Sequence, residues 1–319
     1  PRPTPPHRRG RILSHMVSRL PEEERGPTAE ALGAVAAADP ADRAPLRTRM
    51  LAQLANTLPD GSAKLSALVG ALRFAEAAGT TELLRPAWEG RAQEFVEGLG
   101  GTPQEQRELF VALSGQFARP CRGSYECLLL ALRAGGEGAR GSEELTARAV
   151  VEFLKADGLY SCDLGHGGAL DGLRAAGAKH ADLLALLEIF TAGSFADFTA
   201  FRAAKKGRLE ALGLQADAAE DKMRVMALAG LAAGSEGARL AYSQVEAALQ
   251  VGEAEVEGWI VKAIGEGVLE GRMDQMQQVL HVQRATKRAF GAQDWEEVSA
   301  RLEGFRKNLA SISTQMAHA

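Results

Sequence analysis

From about position 46 to 234, apolar residues recur at three- and four-residue intervals, the spacing that gathers them on one face of a helix. Met50, Leu51, Leu54 and Leu58 set the first stripe, and Leu65, Leu68, Val69, Leu72 and Phe74 the second. Thr80, Thr81 and Glu82 are expected to open a third helix carrying Leu83, Leu84, Ala87, Trp88, Ala92, Phe95 and Val96, ended by Gly100 and Gly101. At the next start Thr102 is placed to cap, Pro103 suits the first helical position and Glu105 can reach back, a capping-box arrangement. Leu109, Phe110, Leu113 and Phe117 line the apolar face of that helix. Further helices are predicted over 123–134, 142–156, 178–191, 194–212 and 217–233, with glycine-rich loops at 135–141 and 165–168. Helices of about 12–18 residues joined by short turns describe stacked hairpins, a TPR/HEAT-like solenoid. No strict repeat motif is present, so a globular helical bundle remains the alternative.

After Gly234 the pattern changes. A short helix over 243–250 is followed by one over 253–266, with Val256, Trp259, Ile260, Ala263 and Ile264 on one face. Alternation then predicts strands over 268–273 and 278–283, with a turn at 274–277 between them. Two short helices followed by a hairpin are the layout of a winged helix. The edge of that hairpin, with Arg272, Val279, Leu280 and Val282, is expected to meet a partner, since an exposed strand edge offers unpaired backbone groups. In the last segment Trp295, Val298, Leu302, Phe305, Leu309, Ile312 and Met316 are spaced 3, 4, 3, 4, 3, 4, an a/d seam sustained over three heptads. Trp295 to Leu302 is expected to pack back on the winged helix. Phe305 to Met316 is expected to project toward other chains. The domain reading is therefore an irregular, partly helical segment over 1–44, with the helical piece near 12–20. Helical repeats over 45–233, a winged helix over 234–290 and an amphipathic helix over 291–319 follow it.

Composition supports a mostly α protein, since aromatics are only 5% and Leu and Ala dominate the apolar set. The net charge of −4 lacks the basic surplus of a chain that grips phosphates. Three cysteines, Cys121, Cys127 and Cys162, are too few and too odd in number for a disulfide framework and point to a reduced compartment. No apolar run approaches the ~20 residues needed to cross a bilayer. The start has neither methionine nor a signal-like apolar stretch and reads as that of a fragment.

Candidate chemistry is sparse. Gly165-His166-Gly167-Gly168 fails the G-x-G-x-x-G pattern, because Leu170 stands at its last position and no strand precedes it. Cys162 with His166, and Cys121 with Cys127, lack the paired short spacings of a four-ligand zinc site. Cys127, beside Leu128, Leu129 and Leu130, is expected in the core. No H-E-x-x-H, G-x-S-x-G or P-loop occurs. The carboxylate runs at 22–24 and 296–297 are expected to be solvated faces rather than general acids or bases. The second winged-helix helix carries Glu253, Glu255, Glu257 and Glu266 against a single Lys262, which opposes docking on a polyanion. Arg284, Lys287 and Arg288 beyond the hairpin are the candidate RNA contacts, against internal salt bridging as the plainer reading.

Repeats closed by a winged helix and a tail helix are the architecture of PCI domains. Lys222-Met223-Arg224-Val225-Met226-Ala227-Leu228 resembles the last repeat helix of one such family, subunit M of eukaryotic translation initiation factor 3. Leu249-Gln250-Val251-Gly252, with Val256 and Glu257, resembles the start of its winged helix. The densest similarity runs through Met273-Asp274-Gln275, Val279 and Thr286. It continues through the Arg288-x-Phe290-Gly291-x-Gln293-x-Trp295 pattern to Leu302, Lys307, Asn308 and Leu309. The resemblance covers about 45–314, looser over 47–58 and 102–113. Residues 1–44, the 135–141 loop and the stretch near 161–168 depart from it. It implies a cytoplasmic, non-catalytic scaffold without cofactor, bound to other PCI and MPN subunits of the factor and, through the complex, to the small ribosomal subunit. Neither membrane nor DNA binding is implied. The partner contacts then fall on the hairpin edge and on Leu302, Phe305, Leu309, Ile312 and Met316. A PCI subunit of the COP9 signalosome or proteasome lid, or a winged-helix nucleic-acid-binding module, is the alternative.

Overall fold

A computed structural model describes residues 12–13, 15–38, 43–59, 61–135, 142–165, 168–235, 237 and 239–317. Most of the predicted 135–141 loop, and His166 with Gly167 of the glycine cluster, lie outside the described residues. The chain divides into two compact units, residues 1–159 with 167–183, and 160–166 with 184–319.

The first unit is helical throughout its regular parts: α1 (Glu22–Ala37), α2 (Ala44–Thr57), α3 (Ser62–Ala77), α4 (Ala92–Leu99), α5 (Pro103–Ser114), α6 (Arg122–Ala134), α7 (Ser142–Lys155) and α8 (Asp171–Ala175). Sequential helices pack as hairpins, α2 on α3 and α6 on α5 and α7. The stripes read from the sequence are the buried ones, with Leu54, Leu65, Leu72, Leu109 and Leu113 all at most 4% exposed. The capping box at α5 is present: Glu105 N donates to Thr102 Oγ1 at 3.4 Å, and Thr102 N to Glu105 Oε2 at 2.8 Å. Ser62 Oγ donates to the same carboxylate. Buried Gln116 donates through Nε2 to the carbonyls of Leu72 and Ala112, tying the end of α5 to α3.

Two expectations fail in this unit. Residues 80–99 do not form one helix. They make 3-10 turns at Thr81–Leu83 and Arg85–Ala87 before α4 starts at Ala92. Pro86 supplies no backbone N–H to a helical ladder, and Gly90 sits at φ 78°, so the chain turns there instead. The turns still bury Trp88, whose ring meets Phe117 edge-on at 5.5 Å. The N-terminal segment is also helical beyond 12–20, over Glu22–Ala37. Val17, ahead of α1, and Ala29 of α1 form a buried cluster with Leu54 and Leu58 of the next hairpin.

In the second unit, α9 (Ala181–Thr191, from Leu184 on), α10 (Phe195–Ala204), α11 (Arg208–Ala211) and α12 (Ala216–Ala233) precede the winged helix. A second capping box starts α10, with Asp197 N donating to Ser194 Oγ and Ser194 N to Asp197 Oδ2. The predicted 194–212 helix breaks after Ala204, and Gly207, at φ 78°, caps the new start. The wing region comprises β1 (Arg239–Ala241), α13 (Tyr242–Leu249), α14 (Glu253–Gly265), β2 (Leu269–Asp274) and β3 (Val279–Ala285). β1, three residues long, is not foretold by the alternation. It pairs antiparallel with β3, Leu240 opposite Leu280, giving the sheet order β1-β3-β2. β2 pairs on the other side of β3 with a bulge at Glu270/Gly271. A Cβ at Gly271 would lie 2.7 Å from the His281 carbonyl oxygen, so glycine is needed where the strands close up. The last element is α15 (Ala292–Ala317).

Candidate protein-interaction surface

The third strand alters the expected partner-facing edge. β3 has neighbours on both sides, and its residues Leu280 and Val282 are 0% and 3% exposed. Both belong to the chain's own core, which corrects the expectation that they present to a partner. Val279 is half-buried. The outer side of β2, with exposed Arg272, carries no strand among the described residues.

α14 is fixed from beneath. The Arg224 guanidinium of α12 lies over the rings of Phe195 (4.8 Å) and Trp259 (5.2 Å) and pairs with Glu220. Lys262 donates to Asp221 Oδ2 at 2.7 Å while sitting over Trp259. The one lysine of the helix is thus engaged with a carboxylate, and Glu253, Glu255 and Glu266 face outward. The sequence reading missed two apolar side chains on this module, Val261 on α14 at 55% exposed and Met276 at the hairpin tip at 95%. Val261 lies off the apolar stripe of α14, a position readable from the spacing, whereas nothing in the spacing marks Met276.

Of the candidate RNA contacts, two are spent internally. Arg288 Nη1 donates to the Gly193 carbonyl at 2.7 Å, and burial pulls its pKa below the ordinary arginine value. Its seat depends on Gly230, where a Cβ would lie 2.6 Å from the guanidinium. The Arg288 carbonyl accepts from Cys162 N, so the 160–165 strap is bound to the same joint. Lys287 donates to Asp294 and lies over the Phe290 ring. Arg284 is exposed, 3.7 Å from Glu270 across the hairpin.

These residues build the start of α15. Asp294 accepts from Lys287 and from Gly291 N, and these bonds hold its carboxyl below the usual range. Phe290 meets Trp295 edge-on at 5.1 Å. Beyond this joint the helix stands free of the wing. Leu302 and Phe305 are each 62% exposed, Leu309 50%, Ile312 52% and Met316 75%. Trp295 is itself 55% exposed and Val298 half-buried, so the first heptad keeps contact through Phe290 while Leu302 stands clear. The core of the winged helix is already closed by β1, with Leu240, Leu280 and Val282 buried.

No group of three or more His, Cys, Asp or Glu able to hold a metal is found among the described residues. Cys127 is buried, which pushes its thiol up to about 12. No helix is long and apolar enough among the described residues to cross a membrane.

Residues 201–284, α10's end to β3, match the PCI domain. Over 310 residues the chain is 30% identical to eukaryotic translation initiation factor 3 subunit M of Phaeosphaeria nodorum, covering 94% of this chain and 70% of that protein. The chain belongs to the family of eukaryotic translation initiation factor 3 subunit M. The subunit M of Neosartorya fischeri is 30% identical over 281 residues, covering 84% of this chain and 59% of that protein. That of Chaetomium globosum is 28% identical over 310. Within this subunit M family member, the Arg288-to-Trp295 residues that carried the resemblance form the joint between wing and tail helix.

Proposed function

We propose that the chain is a non-catalytic, cytoplasmic scaffold subunit of translation initiation factor 3, joined to other PCI and MPN subunits and through them to the small ribosomal subunit. The observation that carries this is the seam of α15: five large apolar side chains from Leu302 to Met316, each at least half exposed, in heptad register. A helix of 26 residues, about 39 Å long at 1.5 Å per residue, is suited to entering a bundle made with other chains. Each Leu or Phe covered there contributes about 1.5–3 kcal/mol, enough for the seam to decide assembly.

The test is truncation after Gly304 in a tagged chain expressed with its natural partners, followed by affinity capture and mass spectrometry. The shortened chain is expected to keep its melting temperature and to lose the other subunits. Retention of every partner would place the interface elsewhere, and capture of signalosome or proteasome-lid subunits by the full chain would overturn the complex assigned. Nucleic-acid binding draws no support from α14, whose outward carboxylates repel phosphates.

A further inference from the structure

The residues beside the seam carry a preference that the seam does not. With Trp295, Leu302, Leu309 and Met316 at a and Val298, Phe305 and Ile312 at d, the positions that flank a partner helix are e and g. They hold Ser299, Arg306 and Ser313 at e, and Arg301, Asn308 and Gln315 at g. Arg301 and Arg306 are exposed and make no ion pair among the described residues. The acidic residues lie elsewhere. Glu296 and Glu303 at b and Glu297 at c are on the outer face, and Asp294, at the preceding g, is held by Lys287 and Gly291 N. The exposed part of the seam is therefore flanked by positive charge alone.

We propose that α15 receives a helix whose own apolar seam is flanked by carboxylates, and that the two arginines select it. This rests on the reading of the seam as a docking surface. A second copy of the chain offers no such flank. Parallel pairing sets Arg301 of one copy against Arg306 of the other, a like-charge contact. Antiparallel pairing with the seams in layer register sets Arg301 against Asn308 and Arg306 against Ser299, with no opposite charge gained. Flanking charge chooses partners in paired helices, chiefly by penalising the wrong ones.

Two synthetic helical peptides with one Ile/Leu seam, bearing Glu or Lys at every e and g position, separate the possibilities. Anisotropy titration of the full chain at low salt should give tighter binding of the Glu peptide, by about tenfold or more, a gap that narrows as salt rises. The R301E/R306E variant should invert the order, and its unchanged circular dichroism would show that the helix persists. Equal binding of both peptides, or an order unaltered in the variant, overturns the charge selection while leaving the seam as a docking surface. Binding of neither peptide, or binding that survives Leu309→Asp with Ile312→Asp, overturns the seam reading and this inference with it.

Discussion

The winged helix and the helix that follows it place their apolar side chains oppositely. In the wing, Leu240, Leu280, Val282, Val256 and Ile260 are all at most 3% exposed, closed in by a sheet that gains a third strand. In α15 the seam is more regular than any stripe in the wing, yet its large side chains are at least half in water. Regular apolar spacing thus marks a helix face suited to being covered, without telling whether its own chain covers it. Burial in the wing secures the fold; exposure in α15 leaves an unspent surface.

The largest expected effect comes from placing the same charge in each region. Leu280→Asp puts a carboxylate into a closed core and should destabilise the chain by about 4 kcal/mol or more in urea unfolding. Leu309→Asp should change the stability of the isolated chain by less than about 1 kcal/mol while abolishing capture of partners. Equal losses in the two variants would show that α15 serves its own chain's core.

The joint between the regions gives a smaller effect. Arg288→Ala removes the donor to the Gly193 carbonyl and should cost about 1–3 kcal/mol. Gly230→Ala, which crowds the guanidinium, should lower stability in the same direction without altering any charge. A neutral result for both would mean that Arg288 contributes nothing to the joint and leave it free for an outside ligand.

The smallest effect is one of pH. Glu105, bonded by the Ser62 hydroxyl and by the backbone and hydroxyl of Thr102, and Asp197, bonded by the backbone and hydroxyl of Ser194, are both held below their ordinary pKa. A carboxylate whose folded pKa is depressed stabilises the fold above its unfolded value, about 4, and loses that contribution as pH falls through the folded value. Melting temperatures of a Glu105→Gln, Asp197→Asn variant should therefore fall less steeply below pH 4 than those of the parent. Parallel curves would show that the capping carboxylates carry none of the acid sensitivity. Both boxes cap repeat helices, so the fold should soften while the exposed seam is unaffected.

Much of this was legible in the sequence because it was local. Thr102 and Glu105 stand three apart and cap as expected, and the seven seam positions are fixed by spacing alone. The failures came from relations at long range or from breakers set inside apolar runs. β1 is three residues whose partner lies some forty positions on, too short for alternation to register, and without it β3 reads as an edge. Pro86 and Gly90 interrupted a plausible stripe that still buried Trp88, so the core residue was right and the helix was not. Arg288 looked like a surface base because its partner, the Gly193 carbonyl, is a backbone atom 95 residues away.

The uncovered tail helix also bears on how much of the protein a cell can hold. A molecule made in excess of its partners keeps Phe305, Leu309 and Ile312 in water, the kind of apolar strip that chaperones grip and that draws unfinished chains together. On the proposed docking, copies that find a partner would hide the strip and persist, while surplus copies would remain marked by it. The feature proposed to fit the chain for assembly would then tie its abundance to the supply of whatever covers α15.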